Sequence, residues 1–229
     1  MIALVDNDAL VKVAALDMLL EIDGLLDASS VKVLTSAQRV LTAPPKKQAI
    51  RSQIGSDGYD RLQQFLAKAK TLKDSPPPRL ISDLVDVAID PGEAVLFATA
   101  AEFGFYLVAT GDKRAIEAIS KDQGAKILFD GLSGRVICFE QILLNAIELL
   151  GFADVRKRAI AVLGCDGALA KVFAEGARTS EADAIARLEE YVASLRERSG
   201  RLLQPNARTS AVVASATAPA ASSPKGGRR

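Results

Sequence analysis

The sequence contains no histidine and no tryptophan, and only two of its residues are cysteine. Without an imidazole there can be no Ser-His-Asp or Cys-His relay, no His-ligated zinc and no histidine acid or base. Two cysteines cannot frame a disulfide scaffold. Cys138 and Cys165 lie among apolar neighbours (Val136, Ile137 and Phe139; Val162 and Leu163), the setting of buried, reduced thiols. Aromatic residues make up 5% and are scattered, so no base-stacking platform is visible. No excess of either charge exists, since 29 basic residues face 28 acidic ones, and any contact with a polyanion must be local. The longest apolar run, Ala94 to Thr110, is interrupted by Glu102 and falls short of the ~20 residues a bilayer span requires. The opening Met-Ile-Ala-Leu-Val-Asp has no basic segment, unlike a signal peptide. A cytoplasmic protein with no membrane partner is expected.

What is present is a chain of 229 residues, 49% of them hydrophobic, enough for one large domain or a domain with an appendage. Apolar runs at Ile2 to Val5, Val31 to Leu34, Tyr106 to Thr110 and Gly134 to Phe139 read as strands. Between them lie helical spacings: Leu10, Val13, Leu16, Leu19 and Leu20; a helix through Leu41 behind Thr35-Ser36; Tyr59 to Leu72; and Lys113 to Lys121. Pro44-Pro45 reads as a break, Ser75 to Pro78 as a stiff connector, and Leu80 to Val87 is ambiguous. Asp90-Pro91-Gly92-Glu93 carries the start signals of a helix running to about Phe103. Alternating strand and helix predict an α/β/α sandwich of Rossmann-like type with a mostly parallel sheet over residues 1–152. Beyond it, residues 153–203 read as a helical extension. Its last helix starts at Ser180 and shows an apolar stripe of Ile185, Leu188, Val192 and Leu195, suited to docking on the core or on a second copy in a homodimer. Residues 204–229 hold four basic residues and no acid, and read as a disordered tail.

Three acids stand where such a sheet places functional groups. Asp6 follows the first strand and Asp112 the strand Tyr106 to Thr110; open parallel sheets bind ligands at the carboxyl ends of their strands. Each also precedes a helix, so each could simply cap it. Glu93 shares a helical stripe with Phe97, Ala100, Ala101 and Gly104, which aims its carboxylate inward. A buried carboxylate meets a cation or shifts its pKa. Convergent carboxylates without histidine suit a hard divalent cation, Mg2+ or Mn2+, which can activate water and neutralise charge on a phosphodiester.

The stretch Asp90-Pro91-Gly92-Glu93-Ala94-Val95-Leu96-Phe97-Ala98-Thr99-Ala100-Ala101-Glu102, then Tyr106 to Thr110 and Gly111-Asp112-Lys113-Arg114-Ala115, resembles the second half of a PIN domain, in its Gly-Glu-Ala branch. Leu4-Val5-Asp6-Asn7-Asp8-Ala9-Leu10 is similar to that family's first strand and metal-binding turn, and Val33 to Leu41 to its second strand and helix. The resemblance covers roughly residues 1–150. It implies a Mg2+- or Mn2+-dependent ribonuclease, often the toxin of a toxin–antitoxin pair, with Asp6, Glu93 and Asp112 as catalytic metal ligands and Asp8 joining them. Lys113 or Arg114 would steer the substrate phosphate. The glutamate that active members commonly carry after the second strand is missing from Val40-Leu41-Thr42-Ala43. Asp130, before Gly131, is a possible substitute or an ordinary turn residue.

Two other readings stay open. A PIN-like module with an incomplete acidic set would bind RNA or a protein partner without cutting. Basic groups at Lys46-Lys47 with Arg51, at Lys113-Arg114, at Arg156-Lys157-Arg158 and at Arg228-Arg229 could hold phosphate, or be solvated surface. Asp6-Asn7-Asp8 also resembles the opening of haloacid-dehalogenase-type phosphatases, although Ile116 stands where their late motif has an acid.

Overall fold

The computed structural model describes residues 1–86, 89–121 and 130–205. Its centre is a five-stranded, all-parallel sheet in the order β3-β2-β1-β4-β5, formed by Ile2–Val5, Ser30–Val33, Lys70–Thr71, Tyr106–Thr110 and Val136–Cys138, numbered in chain order. Each strand's composition matches its place. The central strands β1 and β4, Ile-Ala-Leu-Val and Tyr-Leu-Val-Ala-Thr, are apolar along their length, as strands covered on both faces must be. β2, Ser-Val-Lys-Val, alternates between half-buried and buried, and β3 is two exposed residues at the edge. At the opposite edge β5 is fully buried because the chain returns to it: Leu203 bridges Val136 in parallel, and the Gln204 amide donates to the Val136 carbonyl at 2.8 Å.

The expected α/β architecture of Rossmann-like type is what the chain forms. Helices α1 (Asn7–Ala15), α2 (Ile22–Leu25), α3 (Ala37–Thr42), α4 (Pro44–Lys68), α5 (Pro78–Asp86), α6 (Pro91–Glu102) and α7 (Lys113–Lys121) connect the strands. Helices α8 (Phe139–Leu150), α9 (Phe152–Ala161), α10 (Gly167–Val172) and α11 (Glu181–Ser199) follow β5. Several boundaries differ from what the sequence pattern predicts. α1 stops at Ala15 because Asp17 takes a left-handed conformation (φ 55°), which leaves Leu20 off the helix and almost wholly exposed. Pro44-Pro45 starts a helix rather than breaking one, since proline suits the first turn where no amide partner is required. The helix it starts kinks at Gly55 (φ 75°) before continuing to Lys68. Through Asp86 the ambiguous stretch belongs to helix α5, Val87 lying outside the described residues, and the edge strand β3 is one that the apolar pattern does not announce.

α11 begins at Ser180 as expected: the Asp183 amide donates to the Ser180 hydroxyl at 3.1 Å. Leu188, Val192 and Leu195 are buried and Ile185 partly so, and the helix packs on α7 and α8 of its own chain. Both cysteines are free and buried. Among the described residues no helix is long and apolar enough to cross a membrane. From residue 206 the expected tail, with Arg228-Arg229, lies outside the described residues.

Candidate active site

Strand order reverses between β1 and β4, and the crevice at the carboxyl ends of these two strands is where a doubly wound sheet binds its ligand. Asp6 ends β1. Its amide donates to the Ala109 carbonyl at 2.9 Å, carrying the β1–β4 pairing one residue further, and its carboxylate accepts from the Asp8 amide at 3.1 Å to cap α1. Asp112, just beyond β4, accepts the Arg114 amide at 2.8 Å. Glu93 sits in the first turn of α6, which Asp90 caps by accepting the Gly92 amide at 2.8 Å. Capping and site placement are therefore not alternatives here: the same turns do both.

Asp6 and Glu93 are each only 7% exposed. Burial pushes the Asp6 carboxyl up to about 6, against the two backbone amides that favour its charge and with the help of Asp8 and Asp90. Burial pushes Glu93 up to about 8, and the charges acting on it, from Asp6, Asp112 and Asp90, are all negative. Thr110 joins the two sides of the crevice: its hydroxyl donates to Glu93 Oε1 at 3.4 Å and accepts the Asp112 amide at 3.0 Å. Asp6, Glu93 and Asp112 thus share one electrostatic neighbourhood.

The other candidates are placed differently. Asp8 forms an ion pair with Lys12 at 2.7 Å, and Lys12 pairs also, at 2.8 Å, with Asp166, the residue just before α10 in the C-terminal extension. Although burial opposes the charge of Lys12, these two acids outweigh it and hold the ammonium above its usual range. The β4–α7 turn presses against this group: a Cβ on Gly111 would stand 2.1 Å from Asp8 Oδ2 and 2.7 Å from Lys12 Nζ. Lys113 is drawn to the buried Glu140 and lies 5.2 Å over the Tyr191 ring. Arg114 is exposed beside Asp112, at 3.5 Å. Asp130 pairs with Arg201, and α3 carries no acid.

Lys12, Thr110, Glu140 and Asp166 belong to the site's surroundings without having stood out in the sequence. Glu140 carries a usable signal, because it follows strand β5 just as Asp6 and Asp112 follow theirs. Lys12 also has one, as a cation four residues after an acid within an apolar helix. Asp166 has none, since its role depends on where the extension folds back.

Among the described residues no three His, Cys, Asp or Glu side chains gather into a ready-made metal group. Magnesium, however, is commonly held through one or two carboxylates with several waters and substrate phosphates. Buried carboxylates whose surroundings are negative have the chemistry such an ion would neutralise; Asp6 and Glu93 fit that role, with the partly exposed Asp112 beside them. A cavity of about 580 Å³ lies elsewhere, between the end of α1, the α4 kink and α9. Two of its cations are paired, Arg61 with Asp17 and Arg158 with Asp154, and Asp57 and Lys157 also line it. Comparison with known proteins finds no matching family model, no matching curated protein and no matching solved structure.

Proposed function

We propose that the protein is a divalent-cation-dependent ribonuclease that hydrolyses RNA phosphodiesters at the β1–β4 crevice. The observation that carries this reading is the burial of Glu93 among Asp6, Asp90 and Asp112, which makes its ionisation unfavourable until a cation arrives. Mg2+ or Mn2+, when bound, would supply Lewis-acid stabilisation of the phosphate and a more acidic water. Asp6 and Asp112 would hold it, on turns fixed by the α1 and α7 caps. Glu93, kept partly protonated near neutral pH by its surroundings, would complete the set or orient the attacking water. Arg114 is the exposed cation nearest Asp112, and Lys113 acts one step back through Glu140. The resemblance of residues 1–150 to PIN ribonucleases supports the same reading, and with it a toxin whose antitoxin would be a separate protein.

The absence of an acid from α3, and of a compact three-acid group among the described residues, favours as the second reading a PIN-like module that binds RNA and cation without cutting. One experiment separates the two. Single-stranded RNA is incubated with wild type, Asp6→Asn and Asp112→Asn in EDTA, Mg2+ or Mn2+, while Mn2+ affinity is measured by calorimetry. Cleavage stimulated by Mn2+ and reduced at least ~100-fold in both variants is expected, since even outer partners of a metal site contribute 10–100-fold. Mn2+ binding without cleavage points to the module. Turnover of p-nitrophenyl phosphate with Mg2+ would instead indicate the phosphatase.

A further inference from the structure

We propose that the cleft between α3 and the first segment of α4 is a binding site for the backbone of single-stranded RNA, leading the strand toward the carboxylate crevice. The proposal deepens the ribonuclease reading and rests on it for the identity of the polymer. The cleft, about 510 Å³, is lined by Thr42, Pro44, Lys47, Gln48, Arg51 and Ser52. Its lining contains two cations, three neutral hydrogen-bonding side chains and no acid. This reflects a wider feature: between Asp27 and Asp57 the sequence has no acidic residue, while Lys32, Arg39, Lys46, Lys47 and Arg51 fall within that stretch.

Three cations of the other basic groups are engaged within the fold. Arg156 donates to the Thr179 carbonyl and lies 5.2 Å over Phe152; Arg158 pairs with Asp154; Lys113 pairs with Glu140. Lys47 and Arg51 instead lie 5.8 and 5.5 Å from the Tyr59 ring and have no ion pair among the described residues. Tyr59 is buried, so its ring steadies the two cations without being available for base stacking. Lys47 and Arg51 are one helical turn apart, about 6 Å along the axis, comparable to the step between successive phosphates of an extended strand. Thr42, Gln48 and Ser52 are of the type that hydrogen-bonds phosphate and sugar oxygens.

Position ties the cleft to the crevice. α3 begins just after the carboxyl end of β2, on the sheet edge that carries Asp6 and Asp112. Leu34, between β2 and α3, stands where a Cβ on Gly92 would meet it at 3.2 Å, next to Glu93. On the other flank Gln53 donates to the Cys165 carbonyl at 3.0 Å, beside Asp166 and so beside the Lys12–Asp8 pair. The basic segment therefore borders the acids without touching them, as a guide for a polyanion should.

The test is fluorescence anisotropy of a labelled oligouridylate in EDTA, which permits binding but no cleavage, across a series of KCl concentrations. Lys47→Glu/Arg51→Glu should weaken binding about 10-fold or more at low salt, and the milder Lys47→Gln/Arg51→Gln should lower the salt slope by roughly 1 for each phosphate that is no longer neutralised. Lys157→Glu, in the other cavity, should leave affinity unchanged. Wild-type affinity in the charge-neutral double variant, with circular dichroism unchanged, overturns the cleft whatever the cleavage assay shows. Equal affinity for a DNA strand of the same length overturns RNA as its ligand. Loss of binding in that variant, in a protein that never cleaves RNA, keeps the cleft and removes the nuclease.

Discussion

Asp6 and Asp166 are two aspartates in nearly the same local situation with opposite electrostatic outcomes. Each precedes a helix and accepts backbone amides of its first turn, Asp6 from Asp8 and Asp166 from Ala168 and Leu169. Each is desolvated by burial, which raises a carboxyl pKa. Yet Asp6 rises to about 6, whereas Asp166 is held below the usual carboxylate range because Lys12 donates to it and its charge outweighs burial. The difference is one ammonium. On one side of Asp8 the acids carry their own buried cation; on the other, Asp6 and Glu93 have no ion pair among the described residues and Asp112 has only the exposed Arg114, at 3.5 Å. The crevice is thus not a generally acidic region but a place from which the internal cation has been withheld.

Removing that ammonium is the strongest way to break the contrast. Lys12→Met keeps the apolar stem beneath Phe139, whose ring lies 5.3 Å from the ammonium, and strands Asp8 and Asp166. A loss of about 3–5 kcal/mol is expected, the usual cost of leaving a buried charge unpaired, read from urea unfolding. Adding Asp166→Asn to Lys12→Met should recover part of it. Strict additivity of the two losses would mean that the pair is not coupled.

The second effect concerns pH. A carboxyl raised by folding contributes stability that is complete below its unfolded pKa and lost as pH climbs through its folded value. For Glu93 that window runs from the ordinary glutamate value of 4.5 to about 8. Metal-free wild type should therefore lose thermal stability across this range, and Glu93→Gln should lose less, ending roughly 1–3 kcal/mol above wild type at the alkaline end. Mn2+ should flatten the wild-type curve by favouring the ionised acids, and should do little to the variant. Melting curves in EDTA and in Mn2+ at several pH values check both, and parallel curves for the two proteins would show that Glu93 is not the group that titrates.

Much of this contrast is legible in the chain before folding. β4 and α7 have the expected bounds, because Leu107 to Ala109 is apolar, Thr110 is β-branched and Gly111-Asp112 marks the turn. The apolar helical stripe of Glu93 places it inside, and it is buried. The four-residue spacing of Asp8 and Lys12 hints at their pair, but sequence cannot show that Asp166, more than 150 residues away, shares the ammonium. Nor can it separate the two meanings of Pro44-Pro45. A proline pair stops a helix coming from its N-terminal side and starts one going toward its C-terminal side, and only tertiary contacts of α3 with α4 decide which applies. β3 is two residues long and carries no pattern of its own.

The smallest effect tests how the crevice is joined. Thr110 is fully buried, and its one hydroxyl serves both walls, donating to Glu93 and accepting from the Asp112 amide. Thr110→Val preserves the β-branched shape that suits β4 but removes both bonds. Because the Glu93 contact is long at 3.4 Å, most of the loss should come from the Asp112 amide, about 0.5–1.5 kcal/mol in stability. The same change removes the one hydrogen bond that favours ionised Glu93, so its pKa should move further up. The pH-dependent loss of stability should then shift toward higher pH in Thr110→Val, opposite to the flattening caused by Glu93→Gln. A shift downward would mean that the hydroxyl serves protonated Glu93 as an acceptor, and a proton rather than a cation would then be what the Asp6 side of the contrast is built to hold.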